Sequence, residues 1–277
     1  MRKIVLQGII IVVSFFCCWA VLSKVDWMDL LQVKKATVKT EQKLGELFWD
    51  LFRKKDKEIK SPKIVGPIDS LVSKICKANG IDLSKVKLHI LEKDEINAFA
   101  LPDGHLVVYT GLIEEADNAE ELCGVLGHEL AHIEGNHVMK KLIKELGLTA
   151  LLSVTTGQHN PELIKQAAKL LSSTAFDRQM EKEADVKSVD YLLKAGIDPL
   201  PFADFMYKLA EGNADADKYF SWISTHPESK QRAEYIVEYS KSQKKKGFKV
   251  RPIMTRKSWE TLQDKVKTEK SDLDTEL

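Results

Sequence analysis

His128 and His132 stand four residues apart with Glu129 between them, in Gly127-His-Glu-Leu-Ala-His132. On a helix that spacing sets the two imidazoles one above the other on one face, where they can share a metal ion. Glu129 falls about a hundred degrees round the same helix, close enough to take a proton from a metal-bound water without being a ligand. Two neutral imidazoles with an adjacent carboxylate are the working parts of a hydrolytic zinc site, and H-E-x-x-H is its sequence form. The neighbours Leu122, Val125, Leu126, Leu130, Ala131 and Ile133 describe a largely buried helix. Two histidines facing each other in such a helix need a shared partner, and a cation is the simplest one.

A catalytic zinc site takes three protein ligands and leaves a fourth position for water. One way to complete it is H-E-x-x-H-x-x-G-x-x-H. Gly135 fits that pattern, but the required third histidine would be residue 138, which is Val138. His137 comes one place early; were the helix to continue through Gly135, it would point roughly 180° away from His128. It then reads as a polar residue near a helix end, favoured there by the dipole. The other way is a carboxylate from a later helix, and Phe176-Asp-Arg-Gln-Met-Glu181-Lys-Glu-Ala-Asp185 offers Glu181, with Glu183 and other nearby acids as competitors. Glu181 and Asp185 are again four apart, so one can bind metal while Asp185 accepts the free ring N–H of a ligand histidine. The plain alternative is a charged helix face in which Arg178, Lys182 and Lys187 form exposed pairs.

Five blocks occur in order: Asn97-Ala-Phe-Ala100, Gly111-Leu112, His128-Glu-Leu-Ala-His132, Glu181-x-Glu-Ala-Asp185, and Thr225-His-Pro227 followed by Arg232. Over roughly residues 62–240 the chain thereby resembles the M48 family of gluzincin peptidases. The resemblance implies that Glu181 is the third zinc ligand and that His137 is the histidine this family carries nine residues after its first ligand. It implies that His226 approaches the metal from a mobile segment, either to stabilise the oxyanion or to fill the open position at rest. From the residues alone, His226 and Thr225 read as a helix entry ahead of Pro227. Arg232 reads first as an ion-pair partner on its own helix and second as an oxyanion donor.

The rest of the chain bounds this reading. With 277 residues there is room for one substantial domain and extensions. A net charge of +1 with 30% charged residues gives no global field for nucleic acid, and no nucleic-acid module is visible. The four cysteines, Cys17, Cys18, Cys76 and Cys123, lack the C-x-x-C spacing of a metal site. Met1-Arg-Lys3 precedes an apolar run over 4–22, so residues 1–24 read as a signal anchor or a signal peptide, with a retained anchor favoured. Residues 25–60 form a charged amphipathic segment in which Leu44, Leu47, Phe48, Leu51 and Phe52 keep helical spacing. Residues 61–243 would be the zinc metallopeptidase domain and 244–277 a polar C-terminal extension.

Within that domain a helix is expected over 67–78, opened by Pro67 and stopped by Asn79-Gly80. A strand follows over 85–91, and strands over 97–101 and 105–109 form a hairpin about Pro102-Asp-Gly104. Further helices are expected over 139–155, 163–171, 178–195, 201–211 and 227–243, with a break at Gly157-Gln-His-Asn-Pro161. The fold class is therefore α+β and mostly helical: a zincin-like domain with a small sheet beside the H-E-x-x-H helix, preceded by one N-terminal apolar helix. The expected function is zinc-dependent endopeptidase cleavage of unfolded or misassembled polypeptides, one Zn2+ per chain. The expected location is the cell envelope, membrane-anchored or exported, with the catalytic domain outside the cytoplasm. The rival is a membrane-tethered, zinc-stabilised chaperone or assembly factor; the intact Glu129 speaks against it, since a structural metal site needs no base.

Overall fold

The wholly buried run His105–Tyr109 becomes β3, the central strand of a three-stranded sheet in the computed structural model. The structure describes Ser14 and residues 33–156, 161–211, 216–244 and 252–274. The 1–24 segment, the expected apolar helix within it and His159 lie outside the described residues, apart from Ser14. No helix among the described residues is long and apolar enough to cross a membrane. Two units separate, Met1–Thr40 and Glu41–Leu277. Of the first, the description covers Ser14 and the start of helix α1 (Val33–Lys55).

In the second unit the order is the rest of α1, α2 (Pro62–Asn79), β1 (Lys87–Leu91), β2 (Ala98–Ala100), β3, and α3 (Thr110–Glu115). Then come α4 (Ala119–Glu134), α5 (His137–Leu146), α6 (Leu148–Leu152), α7 (Pro161–Ser173) and α8 (Arg178–Lys194). The last four helices are α9 (Leu200–Glu211), α10 (Ala216–Thr225), α11 (Ser229–Gln243) and α12 (Arg256–Asp274). The expected hairpin is present: β2 pairs antiparallel with β3, Phe99 opposite Val107. β1 lies parallel on the other side of β3, with His89 opposite Val107. Successive residues of a strand point to opposite faces, and the sheet separates two apolar cores accordingly. Ile90, Ala98, Leu106 and Val108 pack with α2, α4 and α9. Leu91, Phe99, Val107 and Tyr109 pack with Leu44 and Phe48 of α1 and with α5 and α7.

Several boundaries differ from expectation. Helix α2 begins at Pro62, not Pro67. The buried stripe Ile64, Ile68, Leu71, Val72 and Ile75 runs straight past Pro67, whose missing N–H costs one early bond. Gly147 (φ +83°) divides the 139–155 segment into α5 and α6. Pro227 does not open a helix; α10 ends at Thr225, and α11 starts at Ser229 after Glu228 in the left-handed region, φ +64°. Residues 256–274 are not a polar tail but a helix. It buries Trp259, Leu262 and Val266 at helical spacing. Trp259 Nε1 donates to the Ala116 carbonyl (2.9 Å), and Gln263 Nε2 reaches the carbonyls of Ile113, Glu114 and Ala116 at the end of α3. Cys76 and Cys123 are free and buried.

Candidate active site

Helix α4 starts at Asn118, whose side chain accepts the Glu121 N–H (2.9 Å), and every residue from Ala119 to His132 is buried. Its contact with α8 is close because Gly127 faces Ser188. A Cβ at 127 would stand 2.8 Å from the Ser188 hydroxyl, which itself donates to the Gly124 carbonyl. This approach brings the first two turns of α8 over the histidine face of α4.

His128 Nε2 and His132 Nε2 lie 3.0 Å apart, both rings fully buried. Glu181 comes down from α8 with its carboxylate oxygens 3.5 Å from His132 Nε2 and 3.6 Å from His128 Nε2. Glu183 points elsewhere: its side chain is half-exposed and pairs with Lys187 at 2.8 Å. From the turn after α10, His226 places Nδ1 3.1 Å from both Glu181 oxygens and 3.3 Å from His128 Nε2. The Trp222 ring, 4.3 Å away, backs His226, and the Phe176 ring lies 4.2 Å from that of His132.

His128, His132, Glu181 and His226 each offer one donor atom, and the four atoms all lie within 4.8 Å of one another. Buried donors that converge on one another in this way, away from solvent, fit a single shared cation. Imidazoles with one carboxylate are a donor set that suits zinc.

Asp185, one turn beyond Glu181, lies 3.0 Å from His128 Nδ1. Arg232 is buried and pairs across to α8 rather than along its own helix: Nε and Nη2 donate to the two Asp185 oxygens, and Nη1 is 2.7 Å from Glu181 Oε2. Burial alone would raise the Glu181 carboxyl, but His226 and Arg232 hold it well below the usual carboxylate range. Asp185 is likewise lowered despite burial, by Arg232 and His128. Glu129 behaves differently. Burial, reinforced by Glu181, pushes it up to about 8. Its Oε2 accepts the Ala100 N–H from β2 (2.9 Å), while Oε1 has no hydrogen-bond partner among the described residues and lies 3.4 Å from His226 Nε2.

His137 is not turned away from the ligands. The helix stops at Glu134, Asn136 adopts the left-handed region (φ +55°), and His137 folds back, fully buried, with Nδ1 3.1 Å from His132 Nδ1. Trp222 and Phe176 carried no sign of their place in the sequence, since aromatic residues in helical surroundings read as core. A cleft of about 280 Å³ between α8 and α11, bordered by Lys182, Pro227 and Tyr235, runs down to Glu181 and Arg232.

A helix presenting two imidazoles and a carboxylate, with a glutamate brought to it from a later helix, is an arrangement that fits the zinc metallopeptidase class. Comparison with known sequences is specific about which. The profile of Peptidase family M48 matches residues 65–240, and the chain belongs to that family, whose members are zinc metalloproteases. It is 32% identical over 149 residues to the mitochondrial metalloendopeptidase OMA1 of Arabidopsis thaliana, covering 54% of this chain and 30% of that protein. It is 30% identical over 165 residues to the metalloprotease LoiP of Escherichia coli (strain K12), covering 57% and 64% respectively. With the beta-barrel assembly-enhancing protease of the same bacterium the identity is 28% over 202 residues, 68% of this chain and 41% of the relative. The chain thus spans less than two thirds of the length of each of these three relatives.

Proposed function

We propose that the chain is a zinc-dependent endopeptidase of polypeptides that works in the cell envelope, held there by its apolar N-terminal segment, and that its substrates are unfolded or misassembled proteins. The observation that carries the catalytic part is the meeting of donors from α4, α8 and the 226 turn in one buried cluster, beside a carboxylate one of whose oxygens has no hydrogen-bond partner among the described residues. The names of the relatives, which include a mitochondrial metalloendopeptidase and a beta-barrel assembly-enhancing protease, support the envelope setting.

His128, His132 and Glu181 would hold the zinc. When bound, such an ion supplies Lewis acidity, lowering the pKa of water toward about 7 and polarising a carbonyl. The residues do the rest. Ala100 N–H fixes one oxygen of Glu129, so the other, Oε1, takes the proton of the attacking water and delivers it to the departing amine. Asp185 accepts the Nδ1–H of His128 and leaves Nε2 to face the cluster. Arg232 balances Asp185 and Glu181, keeping both ionised in a buried setting. His226, with Nδ1 beside Glu181 and His128, would cap the zinc site at rest and have to move aside to admit substrate.

The test is cleavage of casein by the purified chain, with and without a chelator, beside Glu129→Gln. The reading requires chelator-sensitive cleavage that Glu129→Gln abolishes at unchanged zinc content. Full zinc occupancy without cleavage by the parent chain would favour the chaperone alternative.

A further inference from the structure

The two ligand histidines of α4 are held from behind by unlike partners. His128 has the Asp185 carboxylate 3.0 Å from its Nδ1. Among the described residues no carboxylate stands there for His132; behind its Nδ1 is Nδ1 of His137, at 3.1 Å, with the rings nearly perpendicular (80°). A histidine that binds metal through Nε2 carries its proton on Nδ1 and donates it to whatever stands behind. Two nitrogens at hydrogen-bond distance share one proton, so His137 Nδ1 must be the acceptor and its own proton must sit on Nε2.

The backbone is shaped for this. Asn136 in the left-handed region reverses the chain directly after α4. Gly135 leaves the space the ring fills: a Cβ at 135 would stand 2.5 Å from His137 Nε2. That Nε2 is buried with no hydrogen bond among the described residues, and the Glu183 carboxylate lies 3.5 Å from it.

We infer that His137 is a positioning residue for the metal site: as the Nε2–H tautomer it accepts the Nδ1–H of His132, fixing that ring with Nε2 toward the ion, with Gly135 and Asn136 as the turn that delivers it. The inference rests on the zinc reading above. It makes the two imidazole ligands inequivalent, His128 backed by a charged acceptor and His132 by a neutral one.

The test measures zinc affinity of the chain by competition with a chromophoric chelator, together with the thermal midpoint of the metal-free form. His137→Phe keeps a ring of similar size but no acceptor, and is expected to lose ten- to hundred-fold in zinc affinity. His137→Asn returns an acceptor at the Nδ1 position and is expected to recover most of that loss, while the two metal-free variants melt alike. Unchanged affinity in His137→Phe, or equal losses in both variants, overturns the inference. Long-range 1H–15N correlation spectra of the zinc-loaded parent chain need no variant: a proton on His137 Nδ1 overturns it, and a proton on Nε2 with Nδ1 bare supports it. If the parent chain takes up no zinc at all, the zinc reading falls and this inference with it. Zinc uptake by a parent chain whose His137 variants bind normally removes this inference alone.

Discussion

Arg232 on α11 grips Asp185 on α8 through two parallel hydrogen bonds, Nε to Oδ2 at 2.8 Å and Nη2 to Oδ1 at 2.7 Å, and the same carboxylate faces His128. The guanidinium is buried and is also the nearest cation to Glu181. Removing it leaves two buried carboxylates without their counter-ion. Arg232→Met is therefore expected to destabilise the metal-free fold by about 3–5 kcal/mol, read from denaturant unfolding in the presence of chelator. A loss below about 1 kcal/mol would show that the carboxylates find other partners.

Glu181 and Glu183 are two residues apart, and only Glu181 enters the donor cluster. Glu181→Ala is expected to abolish tight zinc binding. Glu183→Ala, which touches the site only through His137, is expected to cost on the order of tenfold or less. Equal losses in chelator competition would mean that the wrong carboxylate has been assigned.

His226 is expected to restrain the resting enzyme. His226→Ala should raise the rate on a short unstructured peptide, because the fourth position is then open from the start. A fall of roughly 100-fold at unchanged zinc content would assign the ring to the oxyanion instead.

In the sheet, His105 on β3 pairs with His89 on β1 (2.9 Å) beneath the Trp49 ring. Burial first, then His89 and Lys87, hold His105 down at about 4. An unfolded chain binds that proton near 6.5, so between about 6.5 and 4 the unfolded state takes up more protons than the fold. Stability present above 6.5 is accordingly lost as the pH falls through this window. Denaturant unfolding of the metal-free chain at stepped pH should show that slope, and His105→Gln should show a shallower one.

Much of the site was legible in the sequence because its parts obey local geometry. The spacing of His128 and His132 sets their rings together on any helix, and that of Glu181 and Asp185 does the same one helix later. The hairpin was legible from Pro102-Asp-Gly104. What escaped depended on partners distant in the chain. The role of His137 turns on whether α4 stops at Glu134, and a single left-handed Asn136 decides that. Arg232 reads as a partner on its own helix because sequence shows neighbours along a helix, not across to the next. The parallel pairing of β1 with β3 carries no local signal, and α12 was hidden because its three buried apolar residues are diluted by lysines and glutamates.

His128 and His226 are 98 residues apart in the chain yet stand 3.3 Å from one another. No fragment ending short of the 226 turn can gather all four donors, and none that has lost the packing of α8 on α4 can keep them. Holding the ion with His128, His132 and Glu181 thus requires that α8 be packed on α4. A copy in which α8 has not docked, or has melted away, would have nothing to keep the ion with, and chelation and heating should each sensitise the protein to the other.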